Sequence, residues 1–213
     1  MTRQLLGLFL FSWLAQVTAA QGAMVPKRSV LSNGLVLLTS EQRALPMVSI
    51  ELLIDAGARH ETAEHAGLAH LTSKLLTDGT AKRNALQISE TLEFIGASLD
   101  TGCGDDLASI SMTILKKDLG VGLQLLGEIL TGASFPAAEL DRQKQATLAA
   151  IRAKQEDPGT VASETFAAAL FPSSAYGRPV EGTEASVKRL DRKRVQEFFS
   201  RYYRPNRTIM SVV

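Results

Sequence analysis

The chain has 213 residues, of which 45% are hydrophobic, and its 23 Lys and Arg side chains balance 22 Asp and Glu side chains. This composition is typical of a globular protein with one domain or at most two, and it excludes a disordered or low-complexity chain. The near-neutral charge, without a basic block, argues against a nucleic-acid-binding protein. The single cysteine excludes an intrachain disulfide framework and a cysteine-rich metal centre.

Residues 1–20 have the three parts of a secretory signal peptide. Arg3 is the only charge before Lys27, and an apolar run of 13 residues extends from Leu5 to Val17. Small residues follow, so we expect cleavage after Ala20. The alternative is an N-terminal membrane anchor, but about 20 apolar residues are needed to cross a bilayer. We therefore expect no stable membrane insertion after cleavage, and a periplasmic or extracellular location.

Several segments of the mature chain have the patterns of β-strands. Asn33-Gly34 lies between two short apolar runs and predicts a β-hairpin over residues 29–39, because both central residues of a tight hairpin turn need positive φ. Alternating or β-branched residues predict four further strands. They cover residues 47–54, 97–104, 107–115 and 208–213.

Helical patterns fill the intervening segments. Asn84 begins one helix, with Gln87 placed to complete a capping box. Pro136 is placed in the first turn of a long helix that Pro158 ends. The predicted helices cover residues 67–76, 84–94, 119–130, 136–157, 161–170 and 186–201. Because helices and strands are interleaved, we predict an α+β domain with an antiparallel sheet packed against several helices, over residues 27–213.

All three histidines lie close together, which raises the question of a metal site. His60, His65 and His70 are spaced by five residues. On a helix this spacing rotates successive imidazoles by about 140°, so they cannot bind one ion from a single helix face. The His60-Glu61 pair begins like a His-Glu-x-x-His motif, but the fifth residue is Glu64. Exposed loop positions are the simpler interpretation of His60 and His65.

The other polar candidates point to turns or to structure. Cys103 lies between glycines and has no basic neighbour in sequence, so we expect an unreactive thiol. Asp105-Asp106 and Glu156-Asp157 are adjacent carboxylates, whose side chains point apart, and such pairs usually mark turns. The sequence contains no Gly-x-Ser-x-Gly elbow, phosphate loop or dinucleotide fingerprint.

An ordered series of short motifs resembles the insulinase-type zinc metallopeptidase family, which includes pitrilysin and the mitochondrial processing peptidases. Each motif is weak alone, but the order is specific, and the resemblance covers about residues 27–213. The motifs are Asp55-Ala-Gly-Ala-Arg-His-Glu61, Gly67-Leu-Ala-His70, Asp78-Gly-Thr80, Phe94-Ile-Gly-Ala-Ser98, Asp157-Pro158, Tyr176-Gly-Arg-Pro179, Gly182-Thr183 and Tyr202-Tyr-Arg-Pro-Asn206.

The resemblance implies an inverted zinc motif, His-x-x-Glu-His, and a further Glu ligand on a later helix. Here the motif reads His70-Leu-Thr-Ser73-Lys74. Ser73 replaces the general base, and Lys74 replaces the second His. Ala150 stands at the position of the later Glu, and Gln143 stands where another acidic residue is usual. Only His70 matches, as an isolated remnant of the metal motif.

We therefore interpret the chain as a catalytically inactive member of this family, with no catalytic residue of its own and no cofactor expected, although the family cofactor is zinc. The resemblance implies a partner, an active insulinase-type peptidase subunit. It also implies peptide substrates that add to an edge strand within Ala97–Ser111. No individual substrate-binding residue is assigned.

Two alternatives remain open from the sequence. The first is a rewired metallopeptidase that uses His70 with His65, Glu64 or Cys103. The second is a truncated structural or interaction domain, because the resemblance implies subunits with two such domains and we expect this chain to lack the second homologous domain.

Overall fold

The computed structural model describes residues 26–213, and the predicted signal peptide lies outside them. Six strands form one sheet in the order β1-β2-β6-β3-β5-β4. All neighbouring strands are antiparallel except β2 and β6, which are parallel. The α+β class is confirmed, and the sheet is mixed rather than wholly antiparallel. The strands are β1 (Lys27–Val30), β2 (Val36–Thr39), β3 (Met47–Ile54), β4 (Ser98–Cys103), β5 (Ala108–Leu115) and β6 (Thr208–Val212).

The predicted hairpin is present, but its turn is longer than expected. The loop runs from Leu31 to Leu35, and only Gly34, at φ +88°, has positive φ. Asn33 instead uses its side chain, whose Oδ1 accepts a hydrogen bond of 3.2 Å from the Leu35 amide. Positive φ at both central residues is a requirement of the tight two-residue turn, so a single glycine is sufficient in this longer loop.

Seven α-helices accompany the sheet. They are α1 (Leu68–Lys74), α2 (Ala85–Phe94), α3 (Leu119–Gly132), α4 (Ala137–Gln155), α5 (Pro158–Leu170), α6 (Glu184–Arg189) and α7 (Arg192–Tyr202). The capping box of Asn84 and Gln87 at the start of α2 is confirmed.

The helix boundaries correct the sequence analysis at two places. The single helix predicted over 186–201 is two helices, because Leu190 is extended and Asp191 begins α7, with its carboxylate accepting a hydrogen bond from the Arg194 amide. Pro158 does not only end α4: it is the first residue of α5, which Asp157 caps. Proline suits this position because a first-turn amide has no partner within the helix.

The main core lies between one face of the sheet and a layer of helices. The inward residues of β5 are Ala108, Ile110, Met112 and Ile114, and each is at most 1% exposed. Helix α1 packs against β4, β5 and α7, and also contacts α4. A smaller cluster joins α4 to α6 through Leu148, Ile151 and Val187. This packing places α1 between an edge of the sheet and α4.

Within residues 26–213, no helix is both long enough and apolar enough to span a lipid bilayer.

Candidate functional site

Helix α1 begins where two segments of backbone cross at very short distance. Gly67 has φ +94°, and a Cβ added there would lie 2.5 Å from the carbonyl oxygen of Glu181. Gly182 has φ +80°, and its added Cβ would lie 2.2 Å from the carbonyl oxygen of Ala66. A side chain at either glycine would clash with backbone, so the residue types fix where α1 starts.

A buried carboxylate caps the same helix end. Glu61 accepts hydrogen bonds from the amides of Gly67, at 2.9 Å, and Ala69. Burial raises the pKa of Glu61 to about 7, in opposition to these hydrogen bonds and to the charge of Arg178. Amides at a helix N-terminus lack partners within the helix, and an acidic group there is favourable. Glu61 is therefore a capping residue and not part of a His-Glu-x-x-His motif.

His60 belongs to a hydrogen-bonded cluster, so the expectation of an exposed loop position was wrong for this residue. Its Nε2 lies 2.6 Å from Oδ1 of Asp55, and its ring stacks on Tyr202 with a centroid separation of 4.5 Å. Asp55 also accepts from Arg59, at 2.7 Å, and from Arg207, at 2.9 Å. The hydrogen bond from Arg59 is the main cause that lowers the pKa of Asp55.

The rewired metal site considered from the sequence does not assemble. His65 lies in a short 3-10 turn, where its Nδ1 is 2.9 Å from Oγ1 of Thr62. Burial raises the pKa of Cys103 to about 12, which disfavours the thiolate that binds metals. Across residues 26–213 the structure brings together no set of three or more His, Cys, Asp or Glu side chains suited to a metal ion.

The adjacent carboxylates lie in turns or caps. Asp106 follows β4, where its Oδ1 accepts from the Tyr176 hydroxyl at 2.7 Å. Asp157 accepts from the Thr160 amide at 2.9 Å at the start of α5. Both contacts agree with a structural role for these pairs.

The positions that match the inverted zinc motif lie on α1, facing α4. His70 is half-buried, and Ser73 is fully buried, with its hydroxyl donating to the carbonyl oxygen of His70 at 2.8 Å. Lys74 is exposed. Because residues four apart lie on the same face of a helix, the Lys74 ammonium lies on the side of α1 that carries the His70 imidazole.

The facing surface of α4 also lacks a metal ligand. Ala150 is exposed and has no donor atom, while Lys154, one turn later, places its Nζ 2.5 Å from Oε1 of Glu181. Burial is the main cause that lowers the pKa of His70; Glu181 opposes this shift, and Lys74 and Lys154 reinforce it. The three charged groups are thus close enough to act on the imidazole.

These residues do not fit a zinc ion. Of the matched positions, only His70 has a ligand atom of the right type, and the Lys74 ammonium on the same side of α1 would repel a divalent cation. The Ser73 hydroxyl cannot act as a general base near neutral pH. Gln143 is occupied in a structural contact, since its amide donates to Asp78 at 2.8 Å.

The edge strand β4 lies directly beside α1. It pairs only with β5, and its outer edge has no strand partner among residues 26–213. Leu99, Thr101 and Cys103 stand opposite Met112, Ile110 and Ala108, respectively. These partners are buried residues of the core, so the three β4 side chains lie on the helix side of the sheet. An extended peptide that paired with β4 would direct alternate side chains to the same side.

A sequence model of the insulinase family, peptidase family M16, matches residues 36–184. The chain belongs to this family. The resemblance inferred from the short motifs is therefore confirmed.

Relatives of the M16 chain include zinc proteases that are about twice its length. It is 27% identical over 195 residues to an uncharacterized zinc protease of Streptomyces coelicolor, covering 92% of this chain and 42% of the relative. It is 29% identical over 186 residues to the beta subunit of the mitochondrial-processing peptidase of Dictyostelium discoideum, covering 87% of this chain and 39% of the relative. The chain thus spans less than half the length of these relatives.

Solved structures agree with the M16 fold. An inactive M16 peptidase domain from Pseudomonas fluorescens superposes with a TM-score of 0.86 at 25% identity, covering 89% of this chain and 46% of that one. The periplasmic protease PqqL of Escherichia coli superposes with a TM-score of 0.81 at 21% identity, covering 88% of this chain and 22% of the PqqL chain.

The charged pair beside His70 was not predicted from the sequence. Lys154 could have been found, since it lies four residues after Ala150 and therefore on the same side of α4. Nothing in the sequence around Glu181 predicts its place in the site, because only the crossing of residues 181–182 over the start of α1 brings it there.

Proposed function

We propose that this chain is a secreted, non-catalytic M16 subunit that holds extended peptides along β4 while a separate zinc-bearing M16 peptidase cleaves them. The observation that carries the proposal is the replacement of zinc-binding chemistry by cations around His70. Lys74 and Lys154 are close enough to act electrostatically on His70, and Ala150 offers no ligand.

The peptide-binding part of the proposal depends on the main chain. Adding a strand to β4 needs unpaired backbone amides and carbonyls, and it does not need zinc. The edge of β4 and its contact with α1 remain although the matched ligand positions have changed. Loss of hydrolysis is therefore compatible with retained peptide binding.

The partner part of the proposal rests on the relatives. One relative is named as the beta subunit of a peptidase, and one structural neighbour is named as an inactive domain. A chain without zinc ligands would still contribute to peptide processing if it bound beside a chain that has them. Its location follows from the signal peptide predicted at residues 1–20, which implies export to the periplasm or beyond.

The test combines metal content with cleavage. Purified mature protein is measured for zinc by plasma mass spectrometry and incubated with a quenched fluorescent peptide, with and without a chelator. We expect no stoichiometric zinc and no chelator-sensitive cleavage. Stoichiometric zinc that is lost in His70→Ala, together with chelator-sensitive cleavage, would contradict the proposal.

The partner is tested by addition. An M16 peptidase of the same organism with an intact His-x-x-Glu-His motif is assayed alone and with this chain. We expect a higher cleavage rate in the mixture and co-elution of the two proteins in size-exclusion chromatography. An unchanged rate with separate elution would reject the role of partner subunit.

A further inference from the structure

We propose that the cationic side of α1 binds a carboxylate of the peptide that lies along β4. This inference rests on the proposed function, because it requires a peptide at β4, and it assigns that peptide a chemical class. The carboxylate can be the C-terminus of the peptide or an acidic side chain. Lys74 is the principal binding group, and His70 is an additional hydrogen-bond donor.

Lys74 has a charge that its surroundings leave uncompensated. Its side chain is exposed at the end of α1. Among residues 26–213, no carboxylate oxygen lies within 4.0 Å of its ammonium nitrogen. Its charge nevertheless acts on His70, one helical turn away. An ammonium with free donors on the side of α1 that faces the site is suited to an anionic ligand.

The second lysine of the site is already paired. The Nζ of Lys154 lies 2.5 Å from Oε1 of Glu181. Burial alone would raise the pKa of Glu181, but the hydrogen bond from Lys154 opposes burial and the pKa is lowered. Both groups are therefore ionised, and the pair is neutral overall. Glu181 is also the one acidic group that acts on His70. Its repulsion of an incoming carboxylate is offset by Lys154. The site therefore carries a net single positive charge from Lys74.

The fold brings this charge close to the proposed peptide. Helix α1 packs directly on β4. A strand added to β4 would direct every second side chain to the helix side, as Leu99 and Thr101 are directed. Ala150 leaves space on the α4 side, since its side chain is a single methyl group. An acidic side chain or a chain end on that side of the peptide can reach Lys74.

The experiment measures binding of labelled peptides of about eight residues by fluorescence anisotropy. One peptide has an internal Asp and a free C-terminus; a second has the Asp and an amidated C-terminus; a third has Asn and a free C-terminus; a fourth has Asn and an amidated C-terminus. We expect the fourth peptide to bind about three- to tenfold more weakly than the first, as for one charge-assisted contact. The second and third peptides show which carboxylate is bound.

Variants of the chain test the residues. Lys74→Gln should abolish the difference between the first and fourth peptides, and Lys74→Arg should restore most of it. Glu181→Gln should tighten binding of the charged peptides, because it removes a negative charge and releases Lys154. Lys27→Gln is the matched control, since Lys27 is an exposed lysine on β1, at the opposite edge of the sheet.

The outcomes separate this inference from the proposed function. Equal binding of all four peptides, or an unchanged difference in Lys74→Gln, would overturn the carboxylate inference alone. Absence of binding for every peptide would reject the proposed function and, with it, the inference. A difference that disappears equally in Lys27→Gln would show non-specific electrostatic attraction and would also overturn the assignment to Lys74.

Discussion

The two sides of helix α1 contrast sharply. At its N-terminal end, Gly67 and Gly182 permit a backbone crossing that a side chain would block, and Glu61 caps the helix from a buried position. On the side that faces α4, Lys74 is exposed, and the exposed Ala150 of α4 ends in a methyl group. The first region supports the fold, whereas in the second only His70 has a ligand atom of the type that the zinc motif implied by the resemblance requires.

Under the proposed function, family membership and activity depend on different residues. The motifs that identify the family include Gly67, Gly182 and Glu61, and each is required by a close approach or by a helix cap. The fold can therefore be retained when the chemistry is lost, and the following predictions test this separation.

The largest effect is expected at the backbone crossing. Gly182→Ala would place a Cβ 2.2 Å from the Ala66 carbonyl oxygen at a φ of +80°. We expect the free energy of unfolding to fall by about 3 kcal/mol or more, as measured by urea denaturation. The control is Gly127→Ala in α3, where an added Cβ meets nothing within 4 Å. Gly127→Ala should raise the free energy of unfolding by about 0.5–1 kcal/mol. Equal effects of the two variants would show that the backbone crossing does not require glycine.

The next effect is a pH dependence caused by Glu61. Its pKa is about 7 in the folded chain against 4.5 ordinarily, so the folded state binds more protons than the unfolded state between these values. The stabilisation is complete below pH 4.5 and is lost as the pH rises through about 7, by up to about 3 kcal/mol. Glu61→Gln should remove this slope in denaturation curves measured from pH 4 to 8.

The control for this prediction is Glu64→Gln, at an exposed position three residues later. It should keep the slope of the wild-type chain. If Glu61→Gln and the wild-type chain gave parallel stability curves over this pH range, the buried capping carboxyl would not be the source of the pH dependence.

A smaller effect is expected for Asp55, whose carboxylate is hydrogen-bonded to Arg59, His60 and Arg207. Asp55→Asn should lower the free energy of unfolding by about 1–2 kcal/mol at neutral pH, because partly exposed charged hydrogen bonds are lost. Since the pKa of Asp55 lies below 3.8, this difference should shrink as the pH falls through its folded pKa. Glu41→Gln, which breaks an exposed pair with Arg43, should leave the free energy of unfolding essentially unchanged.

The strands and most helix boundaries could be predicted from local patterns. The alternation over Met47–Ile54 gives the bounds of β3, because one face of that strand is buried. The break between α6 and α7 was missed, since the apolar spacing continues through Leu190 and Asp191 and only the extended backbone of Leu190 interrupts it. Asp191 is a residue type that caps helices, so a local signal of the break was present in the sequence, but the preserved period outweighed it.

The site was predicted in part. The residue types Ser73, Lys74 and Ala150, at positions where the resemblance implies a general base and two ligands, could be read from the sequence, and their interpretation as a lost zinc site stays a prediction. The ion pair of Lys154 with Glu181 was not, because its members are 27 residues apart and meet only through the crossing of residues 181–182 over α1. The order of strands, including the parallel pair of β2 and β6, also depends on contacts between distant segments.

The smallest effect on stability, and the sharpest test of the contrast, is expected from restoring ligands on the exposed side. Lys74→His with Ala150→Glu changes two exposed positions and should alter the free energy of unfolding by less than about 0.5 kcal/mol. With His70 it supplies three ligands, so added zinc should raise the melting temperature of this variant and not that of the wild-type chain. The matched control is Lys74→His with Ala149→Glu, which has the same composition but places the carboxylate on another side of α4. If both double variants responded equally to zinc, the replaced residues would not stand at the metal positions, and the case for an inactive subunit would lose its basis.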